Sequence, residues 1–256
     1  MKLFEKAVKV FIVSLIVVPC LACSQQKISI ASVSSAKDAL RELVNEYRMD
    51  NPKAEVRINF GATGDIFDAV NTGRDDTNII VLVNSDWFNT LASTKKLKDG
   101  TISPFGKNSL VLVGSKYAAA NKIDKPADLV QLLANEQLAI GNPATVVFGR
   151  SIIEIFKYYN IYEELKGKFD LFNDAKSTLQ AVEIAQTNYG IIYKTDAIIS
   201  SDVKTIYTFP QESYNQIAYS IAGVTETYNS SCDKFLKFVH SETGKQIIEQ
   251  YGFDIN

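Results

Sequence analysis

The chain has 256 residues, long enough for one large domain or two ordinary ones that stand without covalent staples. Its 27 basic and 29 acidic side chains leave a formal charge of −2, so no basic field exists to gather nucleic acid or an acidic membrane surface. Of its three cysteines, Cys20 and Cys23 lie near the N-terminus and only Cys232 falls further along, which excludes an internal disulfide in the remainder.

The chain opens with Lys2, Lys6 and Lys9 ahead of an apolar run over residues 10–18, closed by Pro19, Cys20, Leu21, Ala22 and Cys23. The run is shorter than the roughly 18–20 residues needed to cross a bilayer, and polar residues follow it. Residues 1–22 are therefore read as a secretory signal and left out of the fold. The segment before Cys23 resembles a bacterial lipobox, which implies a lipidated Cys23 as the first mature residue; plain cleavage after Ala22 is the alternative.

From residue 27 onward, short β-branched or aromatic runs alternate with longer segments of helical spacing, the pattern of an α/β protein with largely parallel strands. Residues 28–33 read as a strand. Ala39, Leu40, Leu43, Val44 and Tyr47 mark one face of a helix that ends before Asn51-Pro52. A strand at 55–60, a short helix at 65–70 closed by Gly73, and an apolar strand at 79–83 follow. Further strands are expected at 110–113, 138–140, 169–172, 190–193, 205–209 and 217–224, and helices at 151–159, 178–186, 235–239 and 246–251.

Residues 104–109 and 210–216 read as two crossings between lobes. The expected organisation is thus a discontinuous lobe 1 of residues 27–108 and 212–256, with lobe 2 formed by residues 109–211. Two lobes joined by two strands can close like a jaw.

The junctions where strands hand over to helices are rich in small donors: Ser34-Ser35, Gly61-Ala62-Thr63-Gly64, Val147-Phe148-Gly149 and Asn173-Asp174-Ala175. In an open α/β sheet these junctions face a shared crevice, where helix N-termini converge into an anion site. A helix dipole contributes only ~0.3–1 kcal/mol, whereas each hydrogen bond to an ionic oxygen contributes roughly 1.5–3 kcal/mol. Donor geometry therefore selects the guest. A site of donors alone penalises hydrogen phosphate, whose proton needs an acceptor, and accepts bare tetrahedral dianions. Asp65 and Asp174, the carboxylates at these junctions, are expected to cap their own helices.

Taken together these residues resemble the molybdate-binding proteins of bacterial ABC transporters along the whole mature chain. Residues 28–35 followed by Ala39-Leu40 are similar to that family's first strand and ligand serine, and Phe60-Gly-Ala-Thr-Gly64 to its Gly-Ser-Ser-Gly turn. Residues 106–113, Leu138-Ala-Ile-Gly-Asn-Pro143, 173–179, Gly190-Ile-Ile-Tyr193 with Asp196-Ala197, and Tyr251-Gly252-Phe253 continue the resemblance.

The resemblance implies a two-lobed type II periplasmic-binding-protein fold, each lobe a mostly parallel sheet flanked by helices, with two crossover segments. It implies an oxyanion site made by the hydroxyls of Ser35, Thr63 and Tyr193 and the backbone amides of Phe148 and Ala175. The implied ligand is molybdate, or tungstate, held as its oxyanion without a cofactor and without a cation site on the protein. The implied partner is an ABC transporter permease, and the implied setting is periplasmic or extracytoplasmic, with a possible membrane tether through Cys23 and a monomeric protein.

Three departures bear on ion preference. Ala62 replaces the first serine of the turn, Val147-Phe148 stands in place of Pro-Ala with a ring bulky enough to narrow the cleft, and Asn78-Ile79-Ile80 lacks the usual aspartate. Another oxyanion, sulfate or phosphate, is accordingly the nearest alternative, and a sensor or enzyme on the same fold is the more distant one.

Blander readings stand beside each residue. Ser34 and Ser35 can simply cap a helix, Gly-rich turns are common in α/β folds, and a tyrosine at a strand end is more often a packing residue. Their joint order and spacing favours the binding site. His240, the one histidine, reads as a solvated surface residue, and no His, Cys and carboxylate cluster has metal-ligand spacing. No catalytic activity is expected, and an end at Asn256 without an output segment disfavours the sensor.

Overall fold

A computed structural model of the chain describes residues 26–83, 86–119 and 122–255; the leader and Cys23 lie outside the described residues. The described strands form two five-stranded sheets. The first holds β1 (Gln26–Val33), β2 (Ala54–Gly61), β3 (Ile79–Val83), β4 (Ser103–Asn108) and β10 (Ile217–Gly223) in the order β2-β1-β3-β10-β4. The second holds β5 (Leu110–Ser115), β6 (Leu138–Gly141), β7 (Phe169–Phe172), β8 (Tyr189–Tyr193) and β9 (Val203–Thr208) in the order β7-β6-β8-β5-β9.

In the first sheet β1 pairs in parallel with β2 and β3, β10 runs antiparallel to β3, and β4 runs antiparallel to β10. The second sheet repeats this, with β6 parallel to β7 and β8, and β5 antiparallel to β8 and β9. All strands but one in each sheet therefore point the same way, as expected. The reversed strands, β5 and β10, are the ones that follow the two crossings: the chain enters each lobe from the other and arrives running backwards.

The helices are α1 (Lys37–Asp50), α2 (Thr63–Thr72), α3 (Asp86–Ser93), α4 (Asp128–Leu132), α5 (Val147–Tyr158), α6 (Tyr162–Leu165), α7 (Ala175–Glu183), α8 (Lys194–Ile199), α9 (Ser230–Val239) and α10 (Glu242–Gln250). On α1 the buried stripe is Ala39, Leu40, Leu43, Val44 and Tyr47, the face that the spacing predicts. Asn51 ends it, its amide bonded back to the Tyr47 carbonyl at 3.1 Å. Gly73 ends α2 in the left-handed conformation at φ +64°, which a residue with a Cβ rarely adopts.

Ile79, Ile80, Val81 and Leu82 of β3 are fully buried, which explains a strand without polar alternation. Each such side chain contributes about 1.5–3 kcal/mol on leaving water. One apolar cluster runs from these residues through Phe105 and Leu110 into Leu138 and Tyr193 of the second sheet and Phe148 of α5. A second cluster, including Val111, Ala139, Val182 and Ala197, lies under α7 and α8.

The residues read as the first crossing form a true strand, β4. Pro104 and Gly106 hide it from propensity, but it lies at a sheet edge, where a missing amide donor is tolerated. The register slips between Tyr219 and Ser220, a bulge opposite Gly106 and Pro104.

Candidate functional site

Register places the junctions side by side. Val33 of β1 is level with Gly61 of β2, so Ser34-Ser35 and Ala62-Thr63 leave adjacent strands together. In the other lobe Gly141 is level with Phe172, and the Asn142 amide donates to the Phe172 carbonyl at 2.7 Å, aligning the starts of α5 and α7.

Capping differs across the molecule. Asn229 and Ser241 close α9 and α10 by accepting from the Ser231 and Gly244 amides. By contrast, α2 starts from Ala62 and α5 from Val146, neither of which supplies a side-chain cap. Their first amides are left for water or a guest, the condition for an anion to bind there. Asp174 caps α7 as expected, accepting from the Ser177 amide at 2.8 Å. Asp65 does not cap α2: Ala62 holds that position and Asp65 is the exposed third residue, near enough to favour the dipole without accepting a capping bond.

Of the predicted residues, Ser35, Tyr193 and Phe148 are drawn into one chain of contacts by a residue that sequence reasoning missed, Tyr219. The Tyr219 hydroxyl donates to Ser35 Oγ at 2.9 Å and lies near enough to the Tyr193 hydroxyl to affect its acidity. The Tyr193 ring lies 5.2 Å from that of Phe148. Thr63 and Ala175 stand one strand further out in their sheets, as the first residues of α2 and α7, half-buried and outside this chain of contacts.

The Phe148 ring does not narrow the cleft from an outward position. It is 3% exposed, seated over Gly141, where an added Cβ would fall 2.5 Å from the ring. The missing side chain at Gly141 makes the room, and the ring turns inward as any large apolar group does where space permits.

Tyr193 and Tyr219 are 5% and 1% exposed. Burial, ahead of the neighbouring groups, pushes the Tyr219 phenol up to about 12 and the Tyr193 phenol well above its ordinary value, so both stay protonated donors at neutral pH. Asn108 and Thr195, both buried, join across the crossing, the Asn108 Nδ2 donating to Thr195 Oγ1 at 2.9 Å. Beside them a water-sized space is lined by Ser35, Asp38, Thr195, Asp196 and Tyr251.

Tyr219 carried a faint signal in sequence, a lone aromatic hydroxyl in an apolar strand just beyond the second crossing. Nothing local points it at Ser35, 184 residues earlier.

Two α/β lobes joined by two crossings, with hydroxyls and uncapped helix starts on facing strand ends, define a two-lobed binding protein of the type II periplasmic class. The sequence profile described as bacterial extracellular solute-binding protein matches residues 28–254, and the chain belongs to that family.

The chain is 30% identical over 232 residues to the molybdate-binding protein ModA of Haemophilus influenzae, covering 89% of each. It is 26% identical to a Bacillus subtilis protein provisionally named an ABC transporter substrate-binding lipoprotein, YvgL, over 90% of this chain and 88% of that one. Among solved structures, a Clostridium difficile domain provisionally assigned to substrate binding in a molybdenum ABC transporter superposes with a TM-score of 0.79 at 22% identity, over 90% of this chain and 99% of that one.

Proposed function

We propose that this protein is the extracytoplasmic solute-binding component of an ABC importer for molybdate. It holds the ion, or tungstate, between the lobes and presents it to a permease. The carrying observation is that Ser35, which follows β1 of one sheet, and Tyr193 of the other both neighbour the Tyr219 hydroxyl, with Ser35 hydrogen-bonded to it at 2.9 Å. The likeness to a molybdate-binding relative along nearly the whole chain supports the choice of ion.

On this reading lobe 1 comprises residues 27–108 and 212–256, and lobe 2 residues 109–211. Ser35, Thr63 and Tyr193 donate hydroxyl protons while Phe148 and Ala175 donate backbone amides. The guest keeps its double charge, and the donors, at roughly 1.5–3 kcal/mol each, offset its lost hydration. The protein acts alone as a monomer and catalyses nothing. Cys23 carries the lipid that tethers it, a reading in line with the lipoprotein name of the Bacillus subtilis relative.

Calorimetric titration with molybdate, tungstate, sulfate and hydrogen phosphate tests this. Tight binding of the first two, weaker binding of sulfate and the weakest of phosphate is expected. Absence of heat with molybdate, or a preference for phosphate, refutes it.

A further inference from the structure

Tyr219 stands on β10 just beyond the second crossing, packed edge-on against Phe253 with ring centroids 5.1 Å apart. Its hydroxyl is where polar groups of the two lobes meet. The Asn108 side chain is oriented from its far side: Oδ1 accepts from the Ser109 amide at 3.0 Å, so the amide nitrogen is the group that faces Thr195 and Tyr219. That nitrogen offers only protons. Towards Asn108, then, the Tyr219 oxygen must accept, and its single proton is left for Ser35 Oγ.

A serine hydroxyl has one proton and two lone pairs. With a lone pair taken by Tyr219, Ser35 keeps its own proton for a different partner, which on the proposed reading is the guest. Tyr193, kept protonated by burial, likewise has a proton to offer, and an anion is a better acceptor for it than the neutral Tyr219 oxygen. The relay starts from a buried amide that cannot reverse its polarity.

Resting on the reading of Ser35 and Tyr193 as oxyanion ligands, we infer that Tyr219 is a positioning residue that sets specificity without touching the guest. By donating to Ser35 it holds the site's hydroxyls as outward donors, so an oxyanion that brings its own proton finds no acceptor. Without the Tyr219 hydroxyl, Ser35 is free to turn a lone pair to the gap, and hydrogen phosphate regains a partner for its proton.

The test is Tyr219→Phe, which keeps the ring and its packing on Phe253, titrated with molybdate and with hydrogen phosphate alone and in a Ser35→Ala background. Loss of one neutral hydrogen bond weakens molybdate binding about five- to tenfold. The ratio of molybdate to phosphate affinity should fall as well, which a purely structural role would not produce. In the Ser35→Ala background the same substitution should change molybdate affinity by less than about twofold, because the two residues act as a unit.

An unchanged ratio, or an equal loss in both backgrounds, overturns the inference while leaving molybdate binding by the unsubstituted protein intact. Failure of the unsubstituted protein to bind molybdate overturns the inference and the functional reading together. If Tyr219→Phe does not fold, Asn108→Ala reads the relay from its other end: it frees Tyr219 to accept from Ser35, and an unchanged molybdate-to-phosphate ratio there likewise overturns the inference.

Discussion

Asp196 lies three residues beyond Tyr193, 8% exposed, with Oδ2 buried and without a hydrogen-bond partner. Burial first, and then the Asp38 carboxylate across the lobe junction, push the pKa of its carboxyl up from 3.8 to about 7, against a smaller opposing pull from Lys176. Between those two values the folded chain holds a proton that the unfolded chain has released. Stability is therefore greatest at low pH as far as this group is concerned, declines as pH rises from about 4 to about 7, and carries a constant penalty above that. Asp196→Asn keeps the shape and removes the charge, so its melting temperature should exceed that of the unsubstituted protein above pH 7 and converge with it in acid. Parallel melting curves for the two proteins across that range would show that the carboxyl is not strained.

At the scale of elements, the junction between β6 and α5 shows how closely backbone approaches backbone where α5 begins. An added Cβ on Gly149 would fall 2.3 Å from the Gly141 carbonyl oxygen, a contact no flexible side chain can relieve. Gly149→Ala is expected to cost about 1–3 kcal/mol of stability in urea denaturation, the range for overpacking. It should also weaken oxyanion binding by displacing the preceding Phe148 amide. A variant as stable and as tight-binding as its parent would remove this junction from the site.

The crossings explain the misread element. Ser103–Asn108 contains proline and glycine and looks like a connector, yet it pairs with β10 along its length because the returning chain needs an edge partner. Short helices such as α6 and α8 were invisible for the complementary reason: they are held by the sheets they pack on rather than by their own periodicity.

For the molecule as a whole, export and tethering are the outermost level of the proposal. Mass analysis of the mature protein from its native host should find an N-terminus at Cys23 carrying diacylglycerol; an unmodified cysteine there would leave only a cleaved signal. No helix among the described residues is long and apolar enough to cross a membrane.

What could be read along the chain were properties of near neighbours. The stripe on α1, the apolar run of β3, the glycine that ends α2 and the donor-rich junctions at Ser35, Thr63, Phe148, Ala175 and Tyr193 all arise within a few residues of one another. Resemblance over the full length then supplied the fold and the candidate ligands. The pairing of Tyr219 with Ser35 and Tyr193, the locked amide of Asn108 and the burial of Asp196 were beyond reach. Each joins groups from distant segments that meet because the chain crosses twice between its sheets, and the pattern of one segment carries no record of which distant hydroxyl or carboxyl the crossings will set beside it.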